Sequence, residues 1–279
     1  MLSRYSLLVV ALCAMVLAVG CAVDTGGISG GSDPEGPISA NDQGVVREGT
    51  TGAQLYSMVG LMSVRLHRAA TSVNDAPPLA PSTRAVDATS LEDELQAIFG
   101  ETNVTVTPTG VSSFNVTFTN ASLTGLTTIN GTVAVAFTLS ASSVEASITT
   151  SDLTVGPFTV QTTQAITVTA NNQGESISGA ISATRGVRDW NVAFSGSADD
   201  NSIQGTMTVT VAERTLSVTA SWTDATVGGQ EVDTMALSIS YGIPPTTLTV
   251  AINWTGDTTT AVITKNNDTR TIDWKTYEV

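Results

Sequence analysis

From about Asn103 to the C-terminus, this chain alternates residue by residue between apolar and hydroxyl-bearing side chains. The pattern is clearest between Ser202 and Thr223. Ile203, Gly205, Met207, Val209 and Val211 share one parity, and Gln204, Thr206, Thr208 and Thr210 take the other. After a break at Glu213-Arg214, Leu216, Val218, Ala220 and Trp222 alternate with Thr215, Ser217, Thr219 and Ser221. Successive side chains on a strand point to opposite faces, so a period of two means a hairpin with one greasy face and one hydroxyl face.

The same reading along the tract predicts strands at 104–107, 114–119, 128–139, 144–153, 158–170 (bulged near Thr163), 176–184, 190–198, 203–212, 215–223, 235–241, 247–255, 260–265 and 269–277. Most intervening turns are short and carry turn residues, among them Asn171-Asn172-Gln173-Gly174, Gly256-Asp257 and Asn266-Asn267-Asp268. Short turns make neighbours in sequence neighbours in space, which predicts an up-and-down meander. Longer connections are expected at 120–127 and 224–234, and Pro244-Pro245 marks a break. Phe158, Trp190, Trp222 and Trp254 recur every 32 residues, but out of phase with the strands, so this is not a structural repeat.

A flat sheet of twelve strands would be about 60 Å wide, and sheets that wide twist and curl. The single apolar face must end up inside. The fold class is therefore mainly β: a large antiparallel meander of about 11–13 strands, curled into a barrel or half-barrel. Its inner face would be lined by Val133, Val135, Ile177, Val192, Val209 and Val218. Valines do not fill so wide an interior. A helix, an apolar ligand bounded by those six side chains, or both must occupy it.

Two helices are predicted ahead of the strands. The first covers 53–70, with Leu55, Met58, Val59, Met62 and Leu66 on one face and Ser57, Gly60, Ser63, His67 and Arg68 on the other. Arg65, His67 and Arg68 would fall in its last turn, where positive charge suits the helix dipole. The second covers 91–99, with Ser90 as N-cap, Asp93 three residues on and Gly100 at its end. Both are expected to pack on the apolar face of the sheet.

The N-terminus points to an address. Arg4 precedes the apolar run 7–19, which is short for a membrane span and reads as a secretory signal peptide. It ends Leu17-Ala18-Val19-Gly20-Cys21, which resembles the lipobox of bacterial lipoproteins, although Ala18 stands where that family prefers Leu. The resemblance implies that Cys21 becomes the lipid-bearing mature N-terminus, and Ala22 after it implies the outer membrane. An ordinary signal peptide cleaved nearby is the alternative. Residues 22–52 are rich in Gly, Ser, Asp and Pro and read as a flexible tether. The expected organisation is thus a signal peptide at 1–20, a tether at 21–52 and one β-rich domain at 53–279. A curved meander under helices is similar in architecture to the periplasmic lipoprotein carriers of the LolA/LolB type, with no shared motif.

Composition narrows the chemistry. With 25 acids against 11 bases and no basic cluster, nucleic acid is not an expected partner. The two cysteines both precede residue 22, which leaves the β-rich part without a disulfide or thiolate metal site. His67 is the sole histidine, and no serine of the alternating tract sits in a G-x-S-x-G nucleophile elbow. Acidic pairs fall in turns, where they serve as Asx caps. No catalytic residue, metal ligand or cofactor is therefore expected. Three functions fit: a lipid-anchored envelope protein, bound to the membrane by its lipid and holding an apolar molecule or simply its own helix; a structural or interaction module that uses its Thr-rich face; or a transmembrane barrel with the apolar face outward, its aromatics at strand ends as in a membrane girdle.

Overall fold

The computed structural model describes residues 37–74, 86–99, 103–122, 128–139, 144–171, 174–198, 202–227, 230–255 and 258–273. Cys21 lies outside them, as do Gly100 and Trp274. Two helices come first, α1 (Ala40–Asn74) and α2 (Ala88–Phe99). Fourteen strands follow: β1 (Val104–Pro108), β2 (Ser113–Ser122), β3 (Thr128–Leu139), β4 (Val144–Thr150), β5 (Leu153–Val155), β6 (Phe158–Asn171) and β7 (Gly174–Arg185). The run continues with β8 (Arg188–Ala198), β9 (Ser202–Val211), β10 (Arg214–Val227), β11 (Gln230–Tyr241), β12 (Thr246–Thr255), β13 (Thr258–Lys265) and β14 (Asp268–Asp273).

The strands form one antiparallel sheet in chain order, the expected meander. Short β5 departs from the path, pairing with β3 and β6 and closing a small ring through β3, β4 and β6. The predicted strand 144–153 is thus two strands, split by a bend at Ser151-Asp152. β6 slips register twice between Thr162 and Thr167, so the bulge expected near Thr163 is present and extended. The loop expected at 224–234 is instead strand: β10 and β11 stay paired out to Val227 opposite Gln230. The turn expected at Glu213-Arg214 falls one residue earlier. Arg214 pairs with Val211, and Ala212 takes the left-handed conformation (φ 51°) that the tight turn demands.

Helix α1 differs most from expectation. It begins at Ala40, so residues 40–52, expected as tether, form its first three turns. That stretch holds Gly44, Gly49, Gly52, Thr50 and Thr51, whose intrinsic helix preference is poor, with each Gly costing about 1 kcal/mol against Ala. Packing overrides the preference. A Cβ on Gly49 would sit 2.7 Å from Ile239 Cδ1, one on Gly52 would overlap Val209, and one on Gly60 would lie 3.2 Å from Ile203 and 3.3 Å from Ile177. The small residues mark where β7, β9 and β11 run against the helix backbone.

Residues 49–60 of α1 are all buried, twelve in succession. Twelve helical residues point in every direction about the axis, so protein surrounds α1 on all sides there. The sheet curls around its helix. Ser57, Ser63 and His67, expected on a polar face away from the sheet, are buried too, the serines returning their hydroxyls to the carbonyls of Ala53 and Val59. Along its length α1 packs on β4 and on β6 through β12 in turn, crossing the strands obliquely.

Strand parity holds throughout. Val133, Val135, Ile177, Val192, Val209 and Val218 all face the core and are buried. Gln204, Thr206, Thr208, Ser217 and Thr219 face out. Phe158, Trp190, Trp222 and Tyr241, considered as girdle residues, point inward and are buried. Among the described residues no pairing joins β14 to β1, so the sheet is curled but open. The β1 edge is covered by α2: Glu92 Oε2 accepts the Val106 N–H at 2.7 Å, and Gln96 Nε2 donates to the Val104 carbonyl at 3.0 Å. The N-cap of α2 is Asp87 rather than Ser90. Its Oδ2 accepts from the Ser90 N–H at 2.8 Å, which places the helix start three residues before the predicted one.

Candidate functional site

Polar contacts tie α1 to the sheet near each end and in the middle. At the N-terminal end, Ser39 and Asp42 form a capping box: the Ser39 N–H and Oγ each donate to Asp42 Oδ2 at 2.7 Å, while Ser39 Oγ accepts the Asp42 N–H at 3.2 Å. Asp42 has a second task. Tyr241 at the end of β11 donates its hydroxyl to Asp42 Oδ1, and Lys265 at the end of β13 donates to Oδ2 at 3.2 Å. Asp42 is wholly buried and Lys265 nearly so. Burial pushes the Asp42 carboxyl up, but the hydrogen bonds from Tyr241, Ser39 and Lys265 outweigh it and hold the group below the usual carboxylate range. Burial, with Asp42 beside it, pushes the Tyr241 phenol well above its ordinary value. Next to this cluster, Arg214 reaches Glu48 at 2.8 Å and the Asn41 side chain at 3.0 Å.

In the middle, Tyr56 donates its hydroxyl to the Gln204 carbonyl at 3.0 Å. Two glycines facing each other across β8 and β9, Gly196 and Gly205, make room for it. A Cβ on Gly205 would stand 2.7 Å from the Tyr56 hydroxyl, and one on Gly196 would overlap both that hydroxyl and the Gln204 carbonyl. The Tyr56 ring also leans on Phe194, with centroids 5.1 Å apart.

Toward the C-terminal end, His67 and Arg68 converge on Glu175 at the start of β7. His67 Nδ1 lies 3.0 Å from Glu175 Oε1, and Arg68 Nε donates to Oε2 at 2.6 Å. His67 Nε2 lies 3.1 Å from the Val144 carbonyl, which can only accept, so this nitrogen carries a hydrogen. Burial raises the Glu175 carboxyl, yet the bonds from His67 and Arg68 leave it below its ordinary value. His67 is therefore not the last-turn capping residue expected. The helix runs on to Asn74, and the ring is a buried strut between α1, β4 and β7.

Sequence reasoning missed the Asp42 cluster because it read residues 22–52 as tether, although Ser39-Ala-Asn-Asp42 carries the capping-box spacing. Nothing in the sequence links Asp42 to Tyr241 and Lys265, which lie about two hundred residues away.

Asp42, Lys265, Tyr56, His67 and Glu175 are buried and each meets a polar partner across the helix–sheet contact, so these clusters hold the helix in place. The six valine and isoleucine positions expected to bound a ligand lie in the same core as α1, and Ile177 and Val209 touch it at Gly60 and Gly52. The outer face offers a shallow groove of about 370 Å³ across β6–β10, lined on its open side by Gln164, Ser178, Ser195, Thr206, Thr208 and Ser217. Among the described residues no group of three or more His, Cys, Asp or Glu could hold a metal ion. No described helix is long and apolar enough to cross a membrane.

Comparison with protein-family models, curated proteins and solved structures finds no match to this chain. Its function has to be read from its own geometry.

Proposed function

We propose that this chain is a lipid-tethered envelope module without catalysis, whose curled sheet encloses the chain's own helix and offers its hydroxyl face as a contact surface. The observation that carries this reading is the fully enclosed stretch of α1, which occupies the place where an apolar cargo would sit. The tether rests on Cys21 in its lipobox-like setting. An outward face of Gln204, Thr206, Thr208 and Ser217 suits water and hydrogen-bonding partners, and speaks against a lipid-facing barrel.

Two measurements test it. Metabolic labelling with radioactive palmitate should mark the native chain and leave the Cys21→Ala chain unlabelled; equal labelling would remove the tether. Screening the immobilised protein against envelope proteins and neutral glycans should yield a partner whose affinity falls at least about tenfold in Thr206→Lys/Thr208→Lys, since a charged side chain in the groove costs desolvation on binding. A partner indifferent to those changes would move the contact surface elsewhere, and catalytic turnover would end the reading.

A further inference from the structure

Antiparallel register fixes which side chains stand opposite one another, so the outward positions of neighbouring strands line up into rows across the sheet. One row is hydroxyl throughout. Ser178 on β7 stands opposite Ser195 on β8, and the row passes through Thr206, Thr219 and Ser238 to Thr249 on β12. Register carries it on to Ser147 on β4 at one end and to Thr269 on β14 at the other, so that β4 and each strand from β6 to β14 contribute a serine or a threonine. None of these side chains is buried.

Parity alone does not produce such a row. The next outward positions along the same strands include Ala165, Ala180, Ala193, Ala236, Ala251 and Val262. Nor is the row a hydrogen-bonded ladder that staples the strands together. Among its neighbouring pairs only Ser195–Thr206, at 3.4 Å, and Thr264–Thr269, at 3.5 Å, come within hydrogen-bond reach. The other hydroxyls are turned to whatever lies outside the sheet.

Charge and shape narrow what that is. The chain carries a net charge of −14, yet from β6 to β13 every residue of the row, and every outward residue two places to either side, is uncharged. Ser178, Ser195 and Thr206 lie in the outer-face groove of about 370 Å³, with Gln164, Thr208 and Ser217 beside them. Each hydroxyl can both donate and accept. A charged polymer would lose hydration here without meeting an opposite charge, which favours a neutral partner.

Spacing then separates the neutral polymers. Adjacent strands lie about 4.8 Å apart, so the row offers one hydroxyl at that interval. An extended peptide presents side chains on one side only at every second residue, about 6.8 Å, and falls out of step with the row. A pyranose ring with its glycosidic oxygen spans nearly one strand spacing, and its hydroxyls also both donate and accept. A chain of such rings bends at each glycosidic link and can follow a curled face.

We propose that the row is a track for a neutral polysaccharide, laid across the strands at about one ring per strand and seated in the groove at β6–β10. This deepens the contact-surface reading and rests on it.

The test titrates the full chain with hexasaccharides of glucose, mannose, xylose and N-acetylglucosamine, each beside its own disaccharide, and with hexagalacturonate as the anionic member. A neutral hexasaccharide should bind at least about tenfold more tightly than its disaccharide, because more rings meet the row. Ser195→Ala/Thr206→Val alters two exposed positions with little change in size or strand preference. It should weaken that binding about tenfold, through the loss of two hydrogen-bonding hydroxyls. Thr223→Val, on the same face of β10 but off the row, should leave it unchanged. The track is overturned if no neutral hexasaccharide binds, if hexagalacturonate binds as tightly, or if Ser195→Ala/Thr206→Val has no effect. A protein partner lost in Thr206→Lys/Thr208→Lys while no glycan binds would overturn the track and leave the contact surface standing. Should neither glycan nor protein bind this face, both readings fall.

Discussion

The two ends of α1 are fastened around carboxylates, but in different surroundings. Asp42 is enclosed with a cation, Lys265, that is itself buried, and neutral donors from Ser39 and Tyr241 complete its shell. Glu175 sits at the start of β7 with Arg68, whose side chain is 38% exposed. A pair with no access to water cannot be relieved once broken, whereas an arginine at a rim can turn outward and rehydrate. The N-terminal fastening should therefore be the one on which folding depends, and the C-terminal fastening the one that tolerates change.

Substitutions can break or sharpen that contrast. Asp42→Ala leaves Lys265 buried without its carboxylate and removes the helix cap, so chemical denaturation should show a loss of about 3–5 kcal/mol. The double change Asp42→Leu/Lys265→Met should recover much of it, because the desolvated charges leave together. Glu175→Gln should cost less, about 1.5–3 kcal/mol by the same measurement, since it weakens charge-assisted hydrogen bonds while Arg68 finds water. Equal losses at the two ends would dissolve the distinction. Between them, Gly196→Ala forces a methyl against the Gln204 carbonyl and the Tyr56 hydroxyl, with an expected cost of about 1–3 kcal/mol and a lowered melting temperature.

Acid is the gentlest probe. Asp42 and Glu175 both have carboxyl pKa values lowered in the folded state. A group of this kind stabilises the fold fully above its unfolded pKa, near 4, and loses that contribution as pH falls through the folded value. Melting temperature should thus hold steady through the neutral range and fall only below about pH 4–5. In Glu175→Gln the remaining acid response should come from Asp42 and from Asp87, whose carboxyl the Ser90 hydrogen bonds also hold low, and a response abolished by this single change would place the acid sensitivity wholly at Glu175.

Much of the sheet was legible because period-two alternation is a local signal that packing reinforces. Val209 and Thr208 lie on the faces their parity assigns, and Asn266-Asn267 turns where turn chemistry says it should. The helix was legible only where Leu55, Met58 and Met62 supply an apolar stripe. Its first three turns, with Gly44, Gly49 and Gly52, look like linker in isolation, and become helix because β9 and β11 need glycine at the contact. Full enclosure was hidden for the same reason. Ser57, Ser63 and His67 look solvent-facing until carbonyls within the helix and Glu175 on the sheet satisfy them. The polar fastenings were the least legible, since a lysine at the end of β13 and an aspartate before the first apolar turn give no sign of meeting.

Amide hydrogen exchange of the native protein, read by mass spectrometry across residues 49–60, tests the enclosed helix most directly. Helix amides as protected as those of β9 and β10 are expected, exchanging only through unfolding of the whole sheet. Rapid exchange of 49–60 while those strands stay protected would contradict the enclosure, and with it the reading of the interior as the chain's own.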